Sequence, residues 1–223
     1  MFLAAVARPR YDLRRRTYID GKLIICPIVG RVQAQRSSAN RQARDWETKK
    51  HFHGFRRVRK DAGGEGFPSH TSQMARVDPL RVQHDNASPH GAVTRATVKQ
   101  AAKEGGWDIR MEFQPPKSPD MNILDLGIFN AIQSVQYRQP TYKIDALIEI
   151  VMAAFNMGPS RTLDKCFLTL QKVMECIIRH AGDNDFRLPR VSKLYIKNGF
   201  IPSSIVCNAA VYANGKTALM QMQ

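Results

Sequence analysis

The chain has 223 residues, enough for one sizeable hydrophobic core and a small appendage. Its 34 Lys and Arg outnumber 19 Asp and Glu for a formal charge of +15, and a hydrophobic share of 43% excludes wholesale disorder as the expected state. No apolar run approaches the roughly 18 residues of a membrane span, MFLAAVARPRYDLRRR does not read as a signal peptide, and four scattered cysteines without a CxxC suit a reducing compartment.

In chain order, residues 2–7 (FLAAVA) and 23–29 (LIICPIV) are apolar runs of strand length, with Pro27 pointing to an edge or irregular strand in the second. Residues 1–60 hold 16 Lys or Arg and 4 acids, so +12 of the total charge lies there. That front-loading points to a polyanionic partner, nucleic acid first, although an unstructured basic tail carries the same signature. From 36 to 79 no period is sustained, and Gly63, Gly64, Gly66 and Pro68 interrupt any element. LRVQHD at 80–85 alternates as a strand does, and 94–103 suits a surface helix ended by Gly105 and Gly106. Residues 108–113 alternate again through Ile109, Met111 and Phe113. PPKSPDMN is a loop in which Ser118 or Asp120 is placed to cap the following helix.

From Ile123 the period is helical, with Leu124, Ile128, Ala131, Ile132 and Val135 on one side. A second helix is expected over 144–155, striped by Leu147, Ile148, Val151 and Phe155. A third is expected over 161–179 through Leu163, Phe167, Leu170, Met174 and Ile177, with Cys166, Val173 and Cys176 widening the face and Gly182 ending it. A short strand or helix is expected near 191–196, followed by an indistinct tail. Strands first, then strand–helix alternation, then helices alone predict an α/β layer with a helical C-terminal part.

Two acids stand out by position. Asp85 closes an apolar strand, where a parallel sheet places ligand-binding side chains. Asp125 lies in the first turn of the helix after SPDMN. Carboxylates at two such ends can converge on Mg²⁺ or Mn²⁺, which favour oxygen ligands. A strand-end turn and a helix-start acid favoured by the dipole account for the same two residues without a metal. Asn86 reads as a turn residue, His90 as a solvated loop residue, and Trp46 and Trp107 as core or boundary aromatics. The basic run through Arg31, Arg36, Arg41, Arg44, Lys49 and Lys50 is the stronger compositional signal, because phosphate binding needs only charge and reach.

Two segments together carry a resemblance. VQHDNASPH at 82–90, followed by QPPKSPDMNILDLGIFNAIQSVQ at 114–136, resembles the catalytic core of the Tc1/mariner transposase superfamily. The shared pattern is a strand ending in Asp-Asn with a Pro-His after it, then a proline-rich loop leading through SPDMN into an acid-bearing helix. The 39 residues between Asp85 and Asp125 resemble the mariner-like branch whose third acid is Asp. The likeness extends over about 1–46 and 80–215, with 47–79 departing from the family's helix-forming segment there.

The resemblance implies an incomplete RNase H-like fold with a mixed sheet over 1–140, of which 47–79 is divergent or unordered, and a helical part over 141–223. Asp85 and Asp125 match the second and third catalytic acids, which would hold Mg²⁺ or Mn²⁺ for DNA strand cleavage and transfer. Arg31, Arg36, Arg41 and Arg44 would contact backbone phosphates, and Asn86 and His90 would orient substrate. The family's first acid lies on a first strand upstream of the segment Met1 opens. Neither Asp12 nor Asp20 matches it, and the helix-turn-helix region has no counterpart. The expectation is a catalytically inactive remnant with DNA as partner, a nuclear location, no membrane contact, and a homodimer only for a complete enzyme. A non-catalytic, basic nucleic-acid-binding protein is the rival reading.

Overall fold

A computed structural model describes residues 2–13, 16–39, 41–50, 80–87, 94–105, 108–191, 195–196 and 200–221. The chain divides into two compact units, one built from Met1–Ala7, Lys22–Gln114 and Gln133–Met157, the other from Arg8–Gly21, Pro115–Ile132 and Gly158–Gln223. The expected divergence over 47–79 falls mostly outside the described residues, as does His90. No described helix is long and apolar enough to cross a membrane.

The first unit contains three two-stranded ladders. β1 (Phe2–Val6) pairs antiparallel with β4 (Lys22–Pro27), placing Leu3 opposite Cys26 and Ala4 opposite Ile25, with a register shift between Ala5 and Val6. Pro27 ends β4 opposite Phe2, where a missing N–H is tolerated. β5 (Val29–Gln33) and β6 (Trp46–Lys50) form an antiparallel hairpin, of which β6 lies inside the region expected to lack structure from 36 onward. β7 (Leu80–His84) and β8 (Ile109–Phe113) pair in parallel, Leu80 opposite Ile109 and His84 opposite Phe113. A parallel pair needs a crossover, and α1 (Arg95–Gly105) lies in that connection and packs on β8. The pairing of β7 with β8 continues past the strands, where the Gln114 N–H donates to the His84 carbonyl at 2.8 Å.

The unit boundary falls inside α2 (Phe129–Arg138), after which α3 (Ile144–Met157) returns to the first unit. Val151, Ala154 and Phe155 are the buried residues of α3, consistent with the expected stripe. This helix packs on β4 and β6. Lys22 Nζ donates to the Asn156 carbonyl at 2.5 Å, and Thr48 Oγ1 donates to Asp145 Oδ1 at 2.5 Å.

The second unit holds the short hairpin β2 (Arg10–Asp12) and β3 (Thr17–Ile19), and it is organised around α4 (Ser160–Arg179). A π-helical turn over Leu124–Ile128 packs on α4, as do a 3-10 turn over Pro119–Met121 and α5 (Ala209–Gln221). Leu163, Cys166 and Val173 of the expected α4 face are buried; because α4 is covered from several directions, Leu168 and Glu175 are buried outside that face, while Met174 of it is exposed. Gly127 makes one such approach possible, since a Cβ there would stand 3.0 Å from Cys166 Sγ. Arg8 ties the late chain to α4, with Nε 2.8 Å from Asp164 Oδ1 and Nη2 2.7 Å from the Pro202 carbonyl.

The end of α4 is a Schellman motif: the Gly182 N–H bonds the Ile177 carbonyl at 2.9 Å and the Ala181 N–H bonds that of Ile178 at 3.2 Å. Ala181 takes the left-handed position at φ 54°, so the residue that turns the chain precedes the expected Gly182. The short element expected near 191–196 falls largely outside the described residues, and the tail expected to be indistinct contains α5. Asn208 starts α5, its Oδ1 accepting from the Ala210 N–H at 2.9 Å.

Glu175 is the one buried carboxylate named among the described residues, and it is held by two cations. Lys172 Nζ lies 2.6 Å from its Oε2 and Arg179 Nη2 lies 3.0 Å from its Oε1. The hydrogen bond from Lys172, helped by the charges of Lys172 and Arg179, keeps the Glu175 carboxyl below its ordinary range against the opposing effect of burial. Burial lowers the Lys172 ammonium, but bonding to Glu175 and Tyr195 outweighs it and the net shift is upward.

Two outcomes follow from this packing. Leu168 is fully buried, so Leu168→Ala should cost roughly 2–5 kcal/mol of stability in urea unfolding. Folding favours ionised Glu175, so its contribution is complete above the unfolded carboxyl value and is lost as pH falls through the lower folded value. Acid titration of unfolding should therefore be shallower in Glu175→Gln, and superimposable curves would refute the assignment.

Candidate metal centre and basic hairpin

Asp85 stands one residue beyond the end of β7, as expected from the strand pattern. Its Oδ1 accepts the Ala87 N–H at 3.0 Å, closing an Asx-turn, and Asn86 adopts the left-handed conformation at φ 60° that Asn tolerates. The Asn86 N–H in turn donates to His84 Nδ1 at 3.0 Å. His84 Nδ1 also lies 3.9 Å from Asp85 Oδ1. The His84 ring meets Phe113 edge-on at 5.6 Å between centroids, and the Arg95 guanidinium lies 5.1 Å over the same Phe113 ring. The Asp85 side chain keeps 31% of its surface accessible.

Asp125 lies in the first turn of the π-helical segment, exposed, with its N–H donating to the Asn122 carbonyl at 3.1 Å. The cap here is Asn122, whose Oδ1 accepts the Leu124 N–H at 3.1 Å. Ser118 makes no cap bond, because the 3-10 turn over Pro119–Met121 separates it from the helical start. Asp85 belongs to the first unit and Asp125 to the second. Among the described residues no three His, Cys, Asp or Glu side chains are gathered as metal ligands. Within its own unit, Asp85 offers one carboxylate, of which Oδ1 accepts the Ala87 N–H. No chemical step is assigned through a metal here.

The six basic residues expected to contact nucleic acid all fall on one hairpin. Arg31 is in β5, Lys49 and Lys50 are in β6, and Arg36, Arg41 and Arg44 are in the connecting loop. That loop is tied down by its backbone: Ala34 N–H to the Asp45 carbonyl at 2.8 Å and Arg44 N–H to the Ala34 carbonyl at 2.7 Å. Ser37 Oγ accepts the Ala43 N–H at 2.9 Å, and Asp45 Oδ2 accepts the Gln42 N–H at 2.8 Å. Glu47 pairs with Arg41 and, at 2.7 Å, with Lys49. Residues 29–50 carry six Lys or Arg against two acids, Asp45 and Glu47. Trp46, expected in a core or at its boundary, is 65% exposed. The polar run of Arg44, Asp45, Glu47, Lys49 and Lys50 around it is the sequence signal for that exposure.

No protein-family model, curated protein or solved structure matches this chain.

Proposed function

We propose that the chain is a remnant of a mariner-like transposase catalytic domain that retains polyanion binding and has no strand-cleaving activity of its own. The observation that carries the reading is the position of Asp85, one residue past the carboxyl end of a strand in a helix-connected parallel pair. Its VQHDNASPH context, and the SPDMN turn that leads into the segment bearing Asp125, add to it.

Strand pairing also supports the reading. In an RNase H-like sheet the first strand lies in the middle, between the antiparallel strands and the parallel pair. Here β1 pairs only with β4, and β7 only with β8, among the described strands. The antiparallel and parallel parts of the expected mixed sheet are separate ladders among the described residues. Mg²⁺ or Mn²⁺ would be held in the family by three acids, of which this reading finds two positions.

The basic hairpin favours the second reading, a nucleic-acid-binding protein without catalysis, and one pair of assays separates the two from an active nuclease. Incubation with plasmid DNA in Mg²⁺ or Mn²⁺ should leave it uncut; nicking that vanishes in Asp85→Ala would overturn the proposal. Duplex binding should weaken steeply with salt and survive both chelation and Asp85→Ala. Replacing Arg31, Arg36 and Arg44 together by Ala should reduce the slope of log K against log salt by about 2–3.

A further inference from the structure

The hairpin presents a face whose composition suits a narrower ligand than duplex DNA. In an antiparallel ladder, directly opposed residues share a face. Gln33 is opposite Trp46, and Arg31 is opposite Thr48, so Arg31 is a diagonal neighbour of Trp46 on the same side. Glu47 and Lys49 project to the other side, with Val32 and Gly30 opposite them. The side chain of Arg31 and those of the loop residues Arg36 and Arg44 are exposed, and Trp46 exposes 65% of its surface among them.

We infer that this face of the β5–β6 hairpin binds single-stranded nucleic acid, with Trp46 stacking on an unpaired base and Arg31, Arg36 and Arg44 holding the flanking phosphates. The inference rests on the polyanion-binding part of the reading above and not on its catalytic part. An indole ring stacks on any base whose face is free, while paired bases in a duplex offer no such face. Exposed cations on the same hairpin supply the charge that a single strand's phosphates require. A protein-binding anchor would instead sit in a patch of further apolar side chains. The neighbours of Trp46 in the ladder are Gln33, Arg31 and Thr48, and Thr48 is engaged by Asp145. The loop carrying Arg36 and Arg44 is bonded at its base, where Ala34 is buried and pairs with Asp45 and Arg44.

The test uses the full chain at low salt, with oligo-dT and oligo-rU of about 15 nucleotides and a duplex of equal length. Trp46→Ala should weaken single-strand binding by about tenfold and change duplex binding by less than about twofold, while Trp46→Phe recovers most of the loss. The tighter of the two homopolymers identifies DNA or RNA as the preferred strand, and either supports the inference. If Trp46→Ala leaves single-strand binding unchanged, or weakens duplex binding equally, the stacking site is refuted and polyanion binding stands. If the unaltered chain binds none of the three, both readings fall.

Discussion

Backbone pairing is the constraint on which the rest of this molecule depends. Every described strand has one ladder partner, so each of the four sheets consists of two edge strands. Two-stranded ladders are marginal in water, and a parallel pair in particular is normally buried on both faces. In β7 the three residues Arg81, Val82 and Gln83 are exposed, and Phe113 of β8 is 39% exposed. The load passes to the helices. α3 covers β4 and β6 with Val151, Ala154 and Phe155 in its buried face, and α4 centres the other unit on Leu168 and Val173.

The same constraint explains which elements could be read from sequence. Helices α3 and α4 declare themselves because long apolar periods are required when a helix is the main source of burial. The ladder β7–β8 was legible from alternation at Ile109, Met111 and Phe113, although only Met111 of these is buried. The hairpin β5–β6 was not legible, since VGRVQ and WETKK place few apolar residues in alternation and their register is set by the bonded loop between them. α5 was missed for a related reason: AAVYANGKTALMQ spreads its apolar residues around the helix and contains Gly215, so only the Asn208 cap marked its start.

The candidate site divides in the same way. That Asp85 ends a strand and Asp125 begins a helical turn was readable from neighbouring residues, because both facts are local. Whether two acids share a ligand depends on units assembled from distant parts of the chain, and no local pattern encodes that. The strand-end turn expected as the alternative role of Asp85 is present. Its Oδ1 closes a turn with Ala87, and the neighbouring His84 nitrogen receives the Asn86 N–H. Those bonds are made by the Asp-Asn pair itself, so the motif that carries the family likeness also satisfies a purely structural role.

Binding and cleavage place different demands on a fold, and the proposed reading follows from that difference. Metal-assisted cleavage requires several oxygens and a scissile phosphate held to within a fraction of an ångström by rigid neighbours. An acid at a strand end takes its rigidity from the strands beside it, and β7 has one such neighbour among the described strands. Phosphate contact requires only cations that reach a flexible chain. The hairpin meets that demand with its own ladder, its own loop bonds and one tie from Thr48 to α3. Polyanion binding, as proposed, therefore asks less of the fold than cleavage does, and the ladder that sets Trp46 diagonal to Arg31 is the hairpin's own.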